Sequence, residues 1–127
     1  MDFKTPLAKA TGLGSAKSGT THWWMQRVSA VAMIPLTIWL LIFLQLCLTA
    51  TYQETLAWLA SPLNSVCLLA WILSAFHHAA SGMQVVVEDY VGNEGAKIIT
   101  VWVIKLSIGF LALAALLAEF RTLAITG

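Results

Sequence analysis

Charged residues are scarce in this chain, and most of its residues are apolar. Only 10% of the 127 residues are Asp, Glu, Lys or Arg, whereas 59% are hydrophobic. A soluble domain of this length cannot bury so much apolar surface, which excludes an ordinary water-soluble fold. Four of the seven basic residues are Lys4, Lys9, Lys17 and Arg27 near the N-terminus. They form no basic face, so the composition predicts no nucleic-acid partner.

Cysteine is equally sparse and stands in no motif. The chain has two cysteines, Cys47 and Cys67, and neither belongs to a CxxC or CxxCH sequence that would bind a metal or attach haem covalently. We expect two free, buried thiols, the usual state of unpaired cysteine. The N-terminal segment also lacks the apolar core of a secretory signal, and its glycines interrupt any sustained amphipathic helix. We therefore expect residues 1–27 to form a polar cytoplasmic arm that lies along a partner.

Three long apolar runs are what the chain does contain, at about residues 28–49, 62–87 and 98–120. Each is long enough for the roughly 20 residues of helix that cross a hydrocarbon core of about 30 Å. The sequence predicts an all-α integral membrane protein in which residues 28–127 form a three-helix transmembrane anchor domain. Ser61 and Pro62 predict a capped start of the second helix. Pro35 predicts a kink, and not a break, in the first helix.

The basic residues that flank the runs predict the orientation in the membrane. Lysines and one arginine precede the first run, whereas residues 50–61, between the first two runs, contain no Lys or Arg. By the positive-inside rule, the N-terminus is cytoplasmic. Three spans then return the loop of residues 88–97 to the inner side and leave the C-terminus outside. Glu119 and Arg121 are expected at the outer boundary.

A histidine in the second run is the first candidate site residue. His78 lies about 16 Å along a helix from the polar Asp89, near the membrane midplane, where an ionisable group suggests a function. Small residues one turn away, among them Ser74 and Gly82, leave a groove that admits a flat macrocycle such as haem, whose iron commonly binds neutral imidazole. An alternative stays equally open, a histidine that hydrogen-bonds a neighbouring helix. His77 points about 100° away, so at most one of the pair faces such a site.

Tyr90, Asp89 and Arg27 are the candidate residues at the inner membrane surface. Tyr90 either belongs to the aromatic belt or donates a hydrogen bond to a lipid-soluble carbonyl, with Asp89 beside it to orient the donor or relay protons. Arg27, at the predicted start of the first helix, either snorkels or offers a permanent cation to a carboxylate or a reduced oxygen. Lys105 either snorkels, the interpretation that we favour, or pairs with an anionic cofactor group.

These residues carry a resemblance to a known family. His78, Gly82 and Asp89-Tyr90 stand in the second of three apolar helices, and the N-terminal part reads Gly12-Leu13-Gly14-Ser15-Ala16, Gly19-Thr20, His22-Trp23-Trp24, Gln26-Arg27 and Ser29-Ala30. The chain thereby resembles the small membrane-anchor subunits (cytochrome b556 small subunits) of succinate dehydrogenase, respiratory complex II, of the alphaproteobacterial type. The likeness extends over nearly the whole chain.

The resemblance implies a cofactor and part of a substrate site. His78 would be an axial ligand of haem b and so bind its iron, with the other axial histidine supplied by a sister anchor subunit. Tyr90 would hydrogen-bond ubiquinone at the inner surface, with Asp89 in support. Arg27 would set the electrostatics near the haem propionates and the quinone. No residue of this chain is implied to be catalytic.

The resemblance also implies a function, partners and a location. The chain would anchor a succinate:quinone oxidoreductase, without catalytic activity alone, and link the citric acid cycle to the respiratory chain. Its partners would be a flavoprotein subunit, an iron-sulfur subunit and the cytochrome b556 large anchor subunit. Its location would be a bacterial inner (plasma) membrane, or the mitochondrial inner membrane in a eukaryote. Two alternatives stay open: the anchor of a quinol:fumarate reductase and, less favoured, a small proton-coupled transporter, which needs charged substrate groups that the first helix lacks.

Overall fold

The computed structural model describes residues 5–11 and 19–126, and the described part contains helices and no strand. The helices are α1 (Pro6–Thr11), α2 (Gly19–Cys47), α3 (Tyr52–Ala60), α4 (Pro62–Tyr90) and α5 (Glu94–Thr126). Of these, α2, α4 and α5 are each long and apolar enough to cross a membrane. The predicted fold class, three transmembrane helices in an all-α protein, is confirmed.

The spanning helices are longer than the apolar runs that predicted them. The first one, α2, begins at Gly19 and not at residue 28, while α5 begins at Glu94 and ends at Thr126. An apolar run marks only the part of a helix that lies in hydrocarbon, whereas backbone hydrogen bonding continues into polar sequence. Residues 19–27 of the predicted arm are therefore continuous with the first spanning helix. Residues 12–16, which carried part of the resemblance, lie outside the described residues.

The connection between the first two spans contains a helix, α3, that the three apolar runs did not predict. Helix α3 begins with a capping box, in which Thr51 Oγ1 accepts a hydrogen bond from the Glu54 backbone N–H at 3.3 Å. In return, Glu54 Oε2 accepts one from the Thr51 N–H at 2.7 Å. Trp58 of α3 stacks on Phe43 of α2, with ring centres 5.7 Å apart. The Thr-x-x-Glu pattern that marks this helix start was readable in the sequence.

The two prolines of the spans behave differently from one another. Helix α2 continues through Pro35, so the prediction that this proline does not break the helix is confirmed. Pro62 occupies the first turn of α4 as predicted, but the Ser61 hydroxyl makes no capping hydrogen bond. Ser61 is the N-cap residue of α4 as predicted, and it also closes α3, because its backbone N–H donates to Trp58 O at 3.2 Å. Only the predicted capping hydrogen bond of its hydroxyl is wrong.

Helix α4 is central in the packing, since it lies against both α2 and α5. Polar pairs join it to the antiparallel α2: Trp39 Nε1 donates to Asn64 Oδ1 at 3.2 Å, and Trp71 Nε1 donates to Thr37 Oγ1 at 3.1 Å. Few apolar residues are buried in the described part of the chain, and each spanning helix exposes many large apolar residues. Such surfaces are suited to lipid or to a membrane partner.

The structure differs from two predictions about burial. Cys47 and Cys67 are free thiols as predicted, but both are half-buried and not buried. Glu119, expected at the outer boundary, is buried within α5 at 4% exposure. Its Oε1 has no hydrogen-bond partner among the described residues, and nothing in that part of the chain explains the burial.

Candidate functional site

His78 lies on the face of α4 that packs against α2, where it meets a serine. Ser29 Oγ is 3.2 Å from His78 Nδ1, and the same hydroxyl donates a hydrogen bond to Gln26 O at 2.9 Å. No hydrogen bond joins the second ring nitrogen, Nε2, to any described residue. The imidazole is thus held at one nitrogen and available at the other. The interhelical hydrogen bond that the sequence offered as an alternative is present, but it uses only half of the ring's capacity.

A cavity of about 450 Å³ lies between α2 and α4, and His78 is part of its wall. Helix α4 also contributes Gly82 and Val85, which follow His78 on the face that helical periodicity predicts. Gly82 has no side chain that could extend into the cavity. A Cβ added at Gly82 would meet only Gln26 Nε2, at 3.4 Å, which is ordinary contact. The open space beside His78 therefore depends on the missing side chain.

Arg27 lines the same cavity and is exposed. Because α2 begins at Gly19, Arg27 lies more than two turns inside the helix, about 12 Å along its axis. Its near neighbour Ser29 contacts His78, which places Arg27 at the level of His78 and not at the end of the bundle. The guanidinium carbon lies 5.3 Å from the centre of the Trp23 ring, one turn back toward the helix start.

Asp89 and Tyr90 are the last two residues of α4, and both are exposed. Tyr90 is 85% exposed, and neither residue lines the cavity beside His78. Along the helix axis, Tyr90 is about 18 Å from His78. The candidate residues therefore fall into two groups: His78 with the exposed Arg27 beside the cavity between α2 and α4, and Asp89 with Tyr90 at the end of α4. The described residues of this chain do not join the two groups in one pocket.

His77 and Lys105 lie away from that cavity. They line a separate groove of about 240 Å³ between α4 and α5, together with Ala80 and Gly109. Both His77 and Lys105 are exposed. Lys105 therefore does not share the cavity of His78. An anionic group bound beside His78 would meet Arg27 and not Lys105.

The cavity wall also contains His22, Trp23 and Gln26, which were not predicted as site residues. They belong to the segment that was predicted to be an arm, because the apolar run begins only at residue 28. Gln26 is notable for its Oε1 atom, which is buried and has no hydrogen-bond partner among the described residues. The helix start could not have been placed from hydropathy, since the residues from Gly19 to Arg27 are mixed in polarity.

The cavity fits one wall of a haem site. It offers His78 with its Nε2 available, Gly82 one turn away, and Arg27 and His22, whose N–H groups suit carboxylates. The unsatisfied Gln26 Oε1 is a further polar atom beside this space. Among the described residues, no group of three or more His, Cys, Asp or Glu could hold a metal ion by itself.

Comparison with known proteins decides the family. Residues 1–118 match the family described as succinate dehydrogenase/fumarate reductase transmembrane subunit. The chain belongs to this family. It is similar to the succinate dehydrogenase hydrophobic membrane anchor subunit of Rickettsia bellii, with 38% identity over 90 residues, 71% of this chain and 72% of that one.

Further anchor subunits show the same likeness. The succinate dehydrogenase hydrophobic membrane anchor subunit of Rickettsia typhi is 30% identical over 105 residues, 83% of this chain and 84% of the relative. That of Paracoccus denitrificans is 31% identical over 90 residues, 71% and 70% of the two chains. No solved structure gives a significant match. The resemblance inferred from the sequence is confirmed.

Family membership settles the general role of the chain. It is a multi-pass membrane protein and a membrane-anchor subunit of a succinate dehydrogenase, the non-catalytic part of a complex with other subunits. The large apolar surface of the described helices agrees with this role, because lipid and neighbouring membrane subunits must cover it.

Proposed function

We propose that this anchor subunit supplies His78 as one axial ligand of haem b. The observation that carries the proposal is the state of the imidazole: Nδ1 is engaged by Ser29, while Nε2 is unbonded on the wall of a cavity that Gly82 keeps open. The described residues that line this cavity belong to α2 and α4. The second axial histidine and the opposite wall would therefore come from the sister anchor subunit.

Bound haem would supply a one-electron redox centre at this depth. The chain's own residues would bind and tune it. His78 would bind the iron through Nε2, and Gly82 would allow the macrocycle to approach the helix backbone. Arg27 and His22 offer hydrogen-bond donors to the propionate carboxylates, and Arg27 holds a permanent positive charge there.

A second role concerns ubiquinone at the end of the bundle. The exposed Tyr90 hydroxyl would donate a hydrogen bond to a quinone carbonyl, and the adjacent Asp89 carboxylate would orient that hydroxyl or pass a proton. The exposure of both residues, 85% for Tyr90, supports this role, because it leaves them accessible to a quinone at the end of α4. A donor in place before reduction stabilises the negative charge that develops on the quinone oxygen.

The location and partners follow from the same proposal. The basic N-terminal segment would be cytoplasmic, which places Tyr90 on the inner side of a bacterial inner membrane or its mitochondrial equivalent. There the flavoprotein and iron-sulfur subunits would deliver electrons, and the large cytochrome b556 subunit would pack against the exposed faces of the helices. The direction of catalysis, succinate oxidation or fumarate reduction, depends on cofactor potentials that this chain alone does not set.

The test is a reduced-minus-oxidised spectrum of the detergent-purified complex, expressed with its neighbouring genes, together with identification of the co-purifying chains. We expect a bis-imidazole b-type signal and co-purification of a flavoprotein, an iron-sulfur protein and a second membrane subunit. Co-purification of these chains without any haem signal would refute the haem proposal while leaving the anchor role intact. A transporter function would gain support only if none of these chains were found.

A further inference from the structure

Ser29 is the described side chain that hydrogen-bonds His78, and it belongs to the opposite helix of the pair. Its side chain is buried, with 7% of the residue exposed. A serine inside a spanning helix commonly bonds only to a carbonyl of its own helix, as Ser107 does with Val103 O at 2.8 Å. Ser29 does this with Gln26 O and in addition reaches across to His78.

The number of protons fixes the direction of these two bonds. A serine hydroxyl has one hydrogen to donate and can accept others. If that hydrogen went to His78 Nδ1, the hydroxyl oxygen would lie 2.9 Å from the Gln26 carbonyl oxygen with no proton between them. If it goes to the carbonyl, the 3.2 Å contact with Nδ1 is favourable only when Nδ1 carries the proton. The second arrangement gives Gln26 O, Ser29 Oγ and His78 Nδ1 complementary roles as donor and acceptor.

We infer that Ser29 is a positioning residue that holds His78 as the Nδ1–H tautomer, with the Nε2 lone pair directed into the cavity. The inference rests on the proposed haem ligation and extends it to a residue that does not touch the cofactor. A neutral imidazole carries one proton, so fixing it on Nδ1 leaves Nε2 as the ligand atom. The hydrogen bond also restricts rotation of the ring about its bond to Cβ.

Such a partner tunes the ligand as well as orienting it. An acceptor at Nδ1–H makes the imidazole a stronger donor and stabilises ferric over ferrous iron, which lowers the midpoint potential. Loss of the acceptor should therefore raise the potential and weaken retention of the haem. A serine that only filled space between the helices would affect neither quantity in this way.

The experiment uses the purified complex with Ser29→Ala and the matched control Ser107→Ala, whose exposed hydroxyl bonds only to its own helix. Alanine preserves the helix, because the backbone keeps its own hydrogen bonds and alanine is the strongest helix former. The measurements are the rate of haem loss to excess apomyoglobin and the midpoint potential of the b-type absorbance. We expect Ser29→Ala to lose haem about 10-fold faster, with a raised potential, and Ser107→Ala to match the wild type.

Wild-type retention and potential in Ser29→Ala would overturn the inference. If Ser29→Ala does not assemble, Ser29→Cys serves in its place, since the thiol is nearly the same size but a weaker acceptor. A midpoint potential above that of the wild type in Ser29→Cys supports the inference, and a wild-type potential overturns it. Absence of haem from the wild-type complex would refute the proposed function itself, whereas haem that is lost on His78→Ala but unaffected by Ser29→Ala would refute only the role of Ser29.

Discussion

His77 and His78 are adjacent in the sequence but line different spaces in the helix bundle. His78 faces the cavity between α2 and α4, and His77 faces the groove between α4 and α5 that also holds Lys105. The separation follows from the rotation of about 100° per residue along an α-helix. The pair offers a ligand candidate and its own control at nearly the same depth.

His78→Ala should abolish the b-type absorbance, whereas His77→Ala should leave it nearly normal. His78, and not His77, lines the cavity with an unbonded Nε2, and removal of that ligand would leave the iron without one of its two imidazoles. The spectrum of each purified variant complex provides the measurement. Loss of the signal in His77→Ala with retention in His78→Ala would reverse the assignment.

Gly82→Leu should prevent haem binding without unfolding the chain. Even the first carbon of a new side chain approaches Gln26 Nε2 to 3.4 Å, and a leucine would extend further into the cavity beside His78. Gly109→Leu is the matched control, because that glycine lies on the other groove with nothing within 4 Å of an added Cβ. Haem content per complex is the measurement, and full occupancy in Gly82→Leu would show that the cavity is not the haem site.

Tyr90→Phe should slow quinone reduction by about 3- to 10-fold, the effect of one lost neutral hydrogen bond. Succinate oxidation by a soluble artificial acceptor should be unchanged, because Tyr90 is 85% exposed and supports no described packing. Tyr52→Phe is the control, since Tyr52 is the other tyrosine of the chain and is also exposed. Equal loss in both assays would instead make Tyr90 a structural residue.

Arg27→Gln should lower the midpoint potential of haem b by an amount on the order of tens of millivolts, at roughly 60 mV per 1.4 kcal/mol for one electron. A nearby cation disfavours the more positive ferric state, so its removal favours that state. Arg121→Gln provides the control, because Arg121 is the other arginine and lies exposed near the end of α5. A redox titration measures the shift, and an unchanged or raised potential in Arg27→Gln would contradict the proposed placement.

The start of helix α3 should lose order in acid. Hydrogen bonds from the Thr51 backbone N–H and then from its hydroxyl hold the pKa of the Glu54 carboxyl below its ordinary value. A carboxyl whose pKa is lowered by folding stabilises the helix above its unfolded pKa of about 4.3, and this contribution disappears as the pH falls through the folded pKa.

Hydrogen exchange of the first-turn amides of α3, corrected for intrinsic rates, tests this expectation. Protection should decline with falling pH in the wild type and be low and independent of pH in Glu54→Ala. Gln53→Ala, which changes the exposed neighbouring residue, should keep the wild-type pH dependence. A pH-dependent decline that persists in Glu54→Ala would assign the effect to another group.

Much of the fold could be predicted because the bilayer imposes a simple length rule on apolar sequence. The three spans follow from the length of the apolar runs. The different faces of His77 and His78 follow from the rotation of an α-helix by about 100° per residue. Hydropathy could not predict the extension of α2 back to Gly19, because polar residues at a helix end carry no hydrophobic signal. Helix α3 was missed for another reason: its Thr51–Glu54 capping box was present in the sequence but was not weighed.

The sequence by itself determined the membrane class, the family and the position of His78 within the second spanning helix, since each depends on composition, run length or motifs that lie along the chain. Only the tertiary structure decided which residues of α2 face His78. The contact between Ser29 and His78 depends on the sliding and rotation of two antiparallel helices, which polar pairs such as Thr37 with Trp71 fix only when the helices pack. That register arises from interactions between distant parts of the chain, and no local pattern encodes it.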